Sequence, residues 1–215
     1  MFSTSPFTMA QASNGPLPIE SASFQLAFGE PTNSRGGTAC AVTNDGQALV
    51  LQLGTPSQAL RSPFGAGVYG SAEENQKATR LNLEVDITGR HEIITKFREI
   101  DNQVVAWLKT CDKFKIKNPA DSYRPIVIED EKYGTTRVRF KMNVAGLNAA
   151  RGWKFETRQR LEDLKTVNFR DCPSMLVFQV SKVWSMSRDV GCSLEVRHVV
   201  VMNDVDDEMP AFTGW

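Results

Sequence analysis

From Leu81 the apolar positions alternate: Leu81, Leu83, Val85 and Ile87, with Asn82, Glu84 and Asp86 between them. A period of two belongs to a strand with one wet face, because successive side chains point to opposite sides of the backbone. After Gly89 the period changes. Ile93, Ile94, Phe97, Ile100, Val104, Trp107, Leu108 and Cys111 recur at three and four. That spacing predicts an amphipathic helix over 91–111, with Thr88 as candidate N-cap. Gln47 to Leu53 reads as an earlier strand, ended by Gly54-Thr55-Pro56, and Arg61 to Gly67 as a loop.

The second half reads as strand after strand. Ile126 to Ile128 is short and apolar, and Val138, Phe140, Met142 and Val144 alternate with Arg137, Arg139, Lys141 and Asn143. Trp153 to Arg158, Met175 to Trp184 and Ser193 to Met202 complete the set. Turn residues separate them at Tyr133-Gly134, Val144 to Asn148 and Ser187 to Gly191. One main helix among these strands predicts a mainly β fold, a closed or nearly closed antiparallel barrel. Residues 1–46 are rich in Ser, Thr, Gly, Pro, Asn and Ala and predict a flexible N-terminal arm, with one docked piece at Phe24 to Phe28. Residues 47–203 form the expected barrel domain, and 204–215 a separate tail.

Composition narrows the class. The chain of 215 residues is 41% hydrophobic, enough for a core. No apolar run approaches the roughly 18–20 residues of a membrane span, and no basic start followed by an apolar block marks a secretory signal. Cys40, Cys111, Cys172 and Cys192 are widely spaced, and the histidines number two. A zinc finger or disulfide framework is therefore not expected, and a reducing compartment is. The net charge of zero is uneven: residues 107–170 carry 15 basic and 8 acidic groups, and residues 204–215 carry 0 and 4. A basic middle and an acidic end point to a polyanion site plus a tail of opposite sign.

The strand from Arg137 to Val144 places Arg137, Arg139 and Lys141 on one face at intervals of about 7 Å. That interval is close to the phosphate spacing of an extended single strand, and such contacts gain free energy by releasing counterions. Lys109, Lys113, Lys115, Lys117 and Arg124 add to the charge, and Phe114, Tyr123, Tyr133 and Trp153-Lys154 interleave rings with it. An exposed ring beside a cation stacks on any base. The candidate nucleic-acid contacts are thus Lys113, Lys115, Arg124, Arg137, Arg139, Lys141 and Lys154, with Phe114, Tyr123, Tyr133 and Trp153 as stacking platforms. Trp107, on the helix's apolar stripe, is expected in the core.

The tail bears Asp204, Asp206, Asp207 and Glu208, then Phe212 and Trp215, without a base. Asp206-Asp207-Glu208-Met209-Pro210-Ala211-Phe212 resembles the acidic, Pro-Phe-ending tip of bacterial single-stranded-DNA-binding proteins; here Thr213-Gly214-Trp215 follow it. The layout of a barrel with an acidic, aromatic-ended tail is similar to the phage T7-type single-stranded-DNA-binding proteins. Leu51 to Pro56 with Arg61-Ser62-Pro63-Phe64-Gly65 is similar to the versions found in large DNA viruses. The resemblance implies an OB-fold that coats exposed single strands in replication, recombination or repair. It also implies a tail that recruits replication or recombination proteins, and no cofactor.

Signals for catalysis are weak. No phosphate loop, nucleophile elbow or His-Glu-x-x-His pattern occurs, and His91-Glu92 lacks a second His four residues on. His198 reads as a half-buried strand residue, and Glu129-Asp130-Glu131 as a loop rather than a metal site. The protein is therefore expected not to be an enzyme, to have single-stranded DNA and replication proteins as partners, and to work at sites of DNA replication. A homo-oligomer stays open. The rival readings are an all-β shell protein of a virus particle, a nuclease, and an RNA-binding form of the same barrel.

Overall fold

The computed structural model describes residues 16–202, apart from 35, 69–71, 115, 117 and 171. In chain order the strands of the first half are β1 (Leu17–Pro18), β2 (Leu26–Phe28), β3 (Thr32–Ser34), β4 (Gly37–Asn44), β5 (Leu49–Leu53), β6 (Ala66–Gly67) and β7 (Arg80–Asp86). Helix α1 (Ala72–Lys77) precedes β7, and α2 (His91–Leu108) follows it. The second half holds α3 (Pro119–Ser122), β8 (Tyr123–Arg124), β9 (Val127–Asp130), β10 (Thr135–Asn143), β11 (Arg151–Lys154), β12 (Arg160–Leu161), β13 (Ser174–Met186) and β14 (Asp189–Val201).

The alternating segments become the strands they predict, and the 3–4 stripe becomes α2. Ile93, Phe97, Ile100, Val104 and Leu108 lie along one side of that helix and are buried. Phe97 packs against Phe140 of β10 and Phe178 of β13 at centroid separations of 6.3 and 5.8 Å, and those two rings lie 5.0 Å apart. This aromatic trio joins the helix to the centre of the sheet, each ring contributing about 1.5–3 kcal/mol by leaving water. Thr88 does not cap the helix. Arg90 holds the N-cap position, while the Thr88 hydroxyl donates to Asp86 and accepts from the Thr136 amide.

The sheet runs β1-β5-β13-β14-β10-β7-β6. It is open along that path, and it is mixed rather than antiparallel: β14 pairs in parallel with β8, β10 and β11. Parallel joins of this kind need crossovers, which local periodicity does not announce.

The expectation of an arm over 1–46 is corrected from Leu17 onward; residues 1–15 lie outside the described residues. β1 pairs with β5, and β4 pairs with β13 through Thr38 to Ala41. Ile19, Phe24 and Leu26 are buried. The side chain of Gln103 on α2 accepts from the Leu26 amide and donates to the Phe24 carbonyl. A helix side chain thereby satisfies backbone groups that would otherwise be buried unpaired.

Two irregularities shape β13 and β14. Val177 faces His198 but Phe178 faces Val196, and Val180 faces Leu194 but Lys182 faces Ser193. Arg197 and Ser181 are thus the extra residues of two bulges, and the Ser181 hydroxyl donates to the Ser193 carbonyl. Up to Val180 the even-numbered residues of β13 are buried; beyond Ser181 it is Val183 that is buried. The bulge therefore turns Lys182 and Trp184 out of the core.

Candidate nucleic-acid interface

β10 lies between β7 and β14, and its odd-numbered residues face away from the core. On that face Arg137 is opposite Asp86, Arg139 opposite Glu84, Lys141 opposite Asn82, and Asn143 opposite Arg80. A groove runs along this row as two adjoining hollows, of about 420 and 540 Å³, that share Asn82, Ile128 and Arg139. Phe64 and Arg137 line one end; Arg124, Lys141, Trp184 and Gly191 line the other.

The cations differ in how far they are spent. Arg137 is buried, and its guanidinium donates to Glu84 at 2.9 Å and to Asp130 at 2.7 Å. Its Nε is buried without a hydrogen-bond partner, and Phe64, 57% exposed, lies with its ring centroid 4.7 Å from the guanidinium carbon. Arg139 donates to the other Glu84 oxygen at 2.7 Å but leaves its side chain 42% exposed. Lys141 donates to the Ser193 hydroxyl at 3.1 Å and lies 5.5 Å from the Trp184 ring centroid. Burial first, then Arg80 and Lys182, push the Lys141 ammonium below its ordinary range. A cation in that position gains from an incoming anion, which replaces lost hydration. Arg124 extends from β8 to Asp189 at 2.7 Å.

The predicted residues therefore separate. Arg124, Arg137, Arg139 and Lys141 converge on one groove. Lys113 does not join them: it pairs with Glu30 away from the groove lining. Trp153 and Lys154 sit on β11, beside the far end of β14 from Val200 to Val201. Tyr133 is exposed at the tip of the β9–β10 hairpin, with Lys132 Nζ 5.0 Å from its ring. Lys115 and the tail residues Asp204, Asp206, Asp207, Glu208, Phe212 and Trp215 lie outside the described residues.

Two of the expected platforms are corrected. Phe114 is buried against Trp107, which itself stacks on Phe28 at 4.4 Å. Tyr123 is buried with its hydroxyl donating to Asp101 at 2.6 Å. Asp101 also accepts from the Ile126 amide, and its carboxyl is raised to about 6 by burial, against those hydrogen bonds. Rings flanked by charges in sequence are thus drawn inward by contacts that only the fold makes, Phe114 by Trp107 and Tyr123 by Asp101. The open rings in the groove are Phe64 and Trp184, both passed over as candidates. Phe64 stood in a Pro-Gly loop, and Trp184 sat at a strand end whose parity only the bulge decides.

Of the acids considered for a metal, Glu129 pairs with Arg98 and Asp130 with Arg137. Among the described residues no group of three His, Cys, Asp or Glu side chains converges.

No protein-family profile and no curated protein matches the chain by sequence. Among solved structures it is similar to the single-stranded DNA-binding protein from bacteriophage Enc34, with 13% identity over 88% of this chain and 96% of that one, at a TM-score of 0.46. The same phage protein in complex with single-stranded DNA matches at 12% identity over 84% and 97%, TM-score 0.47. The bacteriophage T7 protein gp2.5, a single-stranded DNA-binding protein, matches at 10% identity over 78% and 91%, TM-score 0.46.

Proposed function

We propose that the protein binds single-stranded DNA along the β10 groove without reading its sequence. One observation carries this reading: a row of cations on β10 that ends at each side in a cation set against an open ring, Arg137 with Phe64 and Lys141 with Trp184. Arg139 and Lys141, two residues apart on β10, follow a phosphate backbone while Arg137 backs the Phe64 ring, and ring faces accept any base. Neither distinguishes one base from another. A duplex keeps its bases stacked inside, so the rings favour an unpaired strand.

The strand path, with β14 joined in parallel to β10 and α2 covering the core, is compatible with an OB-like barrel left open. The biological reading is a coating protein for strands exposed in replication, recombination or repair, acting where DNA is copied. The acidic tail, Asp204 to Trp215, is read as the recruiting element for other proteins, and by its charge as a competitor for the groove. No chemistry on the strand is included in this reading.

Titration with oligo-dT, oligo-U and duplex DNA tests it. The expected result is tight binding of the unpaired strands, falling steeply with salt, and weak binding of duplex. Deleting residues 204–215 is expected to raise affinity for oligo-dT. Equal affinity for duplex and single strand would remove the stacking part of the reading. Large closed assemblies in size-exclusion chromatography, with no binding of DNA, would favour the shell protein instead.

A further inference from the structure

The Trp184 indole lies on Gly191, the residue directly opposite it across β13 and β14. A Cβ placed on Gly191 would sit 2.9 Å from Cζ2 and 3.2 Å from Cε2 of that ring. Real Cβ atoms do not approach so closely, so the ring occupies the space where any other residue carries its side chain. Gly191 does not have a left-handed backbone conformation that would demand glycine. Close approach is the reason for glycine here.

Three features fix the ring. The Ser181 bulge turns Trp184 onto the groove face. Gly191 lets the indole lie down across β14. Lys141, reaching from β10 on the far side of β14, stands 5.5 Å from the ring centroid while bonded to Ser193. Arg80 and Lys182 bring two more positive charges to bear on the Lys141 ammonium, opposed by the carboxylate of Glu195, its register partner on β14. The indole stays partly open to the groove.

We propose that Trp184, Gly191 and Lys141 form a built seat for one unpaired nucleotide, the base stacking on the indole and its phosphate meeting the cations at Lys141. Gly191 is the positioning residue, acting through Trp184 alone. The seat rests on the reading of the groove as a single-strand site, and makes it specific: base-dependent binding is concentrated at this end.

The test compares two oligomers of equal charge, oligo-dT and an abasic deoxyribose-phosphate chain, each of about 12 nucleotides, within the usual span of such sites. Wild-type protein, as the full chain, is expected to prefer oligo-dT by about tenfold or more, the scale of one good stack. Gly191→Ala and Trp184→Leu are each expected to lose most of that preference while binding the abasic chain like wild type. The double variant is expected to be no worse than either single one, and Trp184→Phe to keep part of the preference.

A Gly191→Ala protein that retains the full preference, or that weakens on both oligomers alike, overturns the positioning role. Should it fail to fold, Trp184→Leu, which pushes nothing aside, decides by the same comparison. Wild-type binding of single strands without any preference for oligo-dT over the abasic chain overturns the seat and leaves the groove as a phosphate track. Failure of wild type to bind either oligomer overturns both.

Discussion

The ring of Phe64 lies over the guanidinium of Arg137, 4.7 Å from centroid to carbon, while two carboxylates hold that guanidinium from its edges. Loop and strand thus meet at one end of the groove, and the cation serves as a backing for the ring rather than as a free charge. The Phe64→Ala protein is expected to bind oligo-dT about fivefold more weakly, the low end of the range for a lost base stack and a smaller loss than at Trp184. Its melting temperature should stay near wild type, because the ring is exposed. Fluorescence titration and thermal unfolding check the two halves of this statement.

Arg137 and Arg139 are expected to behave differently despite their identical chemistry. Arg139 is partly open, and Arg139→Ala should lower the slope of log affinity against log salt by about 0.7, one phosphate contact on a single strand. Arg137 is sealed between Glu84 and Asp130. Arg137→Ala removes the cation that Asp130 and Glu84 share, with Glu84 keeping Arg139, and should cost about 3 kcal/mol of stability. Salt-dependent titrations of the first and urea unfolding of both separate a binding cation from a structural one.

The buried carboxyl of Asp101 makes a prediction about pH. Its folded value, about 6, lies above the ordinary 3.8. The folded state therefore holds the proton more tightly than the unfolded chain, and this group's contribution is full below about 4 and fades as pH rises to about 6. The loss is of order 3 kcal/mol across that window. Asp101→Asn keeps an acceptor for Tyr123 and Ile126 but does not ionise. The difference in urea midpoint between wild type and variant, followed from pH 4 to 7, should change in favour of the variant; a constant difference would refute the assignment.

Asp189 restrains Arg124 on the rim of the groove at 2.7 Å. Both side chains are largely exposed, so the pair adds little to stability. Asp189→Asn frees one cation and removes one anion beside the path of the strand. Affinity for oligo-dT at low salt is expected to rise about two- to tenfold, with the gain disappearing at high salt as screening shortens the reach of both charges. Binding curves at two salt concentrations check it.

What could be read from the amino-acid order was whatever depends on near neighbours. The alternation from Leu81 to Ile87 and from Arg137 to Val144 specified two strands and their wet faces, and with them the row of Arg137, Arg139 and Lys141. The stripe from Ile93 to Leu108 specified the helix. Charge arithmetic marked the basic middle and the acidic end. Tertiary structure alone decided which rings are open. Phe114 and Tyr123 stand among charges in sequence, yet Trp107 and Asp101, brought near by folding, draw them inward. Trp184 lies on the groove because one extra residue, Ser181, reverses the parity of its strand, and because Gly191 leaves room across the ladder. Apart from the docked piece at Phe24 to Phe28, the strands of residues 17–44 leave no local sign for the same reason: β1 and β4 take their partners, β5 and β13, from farther along the chain, and Gln103 holds Leu26. Periodicity reports which side of its own backbone a residue faces; what occupies that side is settled by contacts between distant segments, which no local pattern encodes.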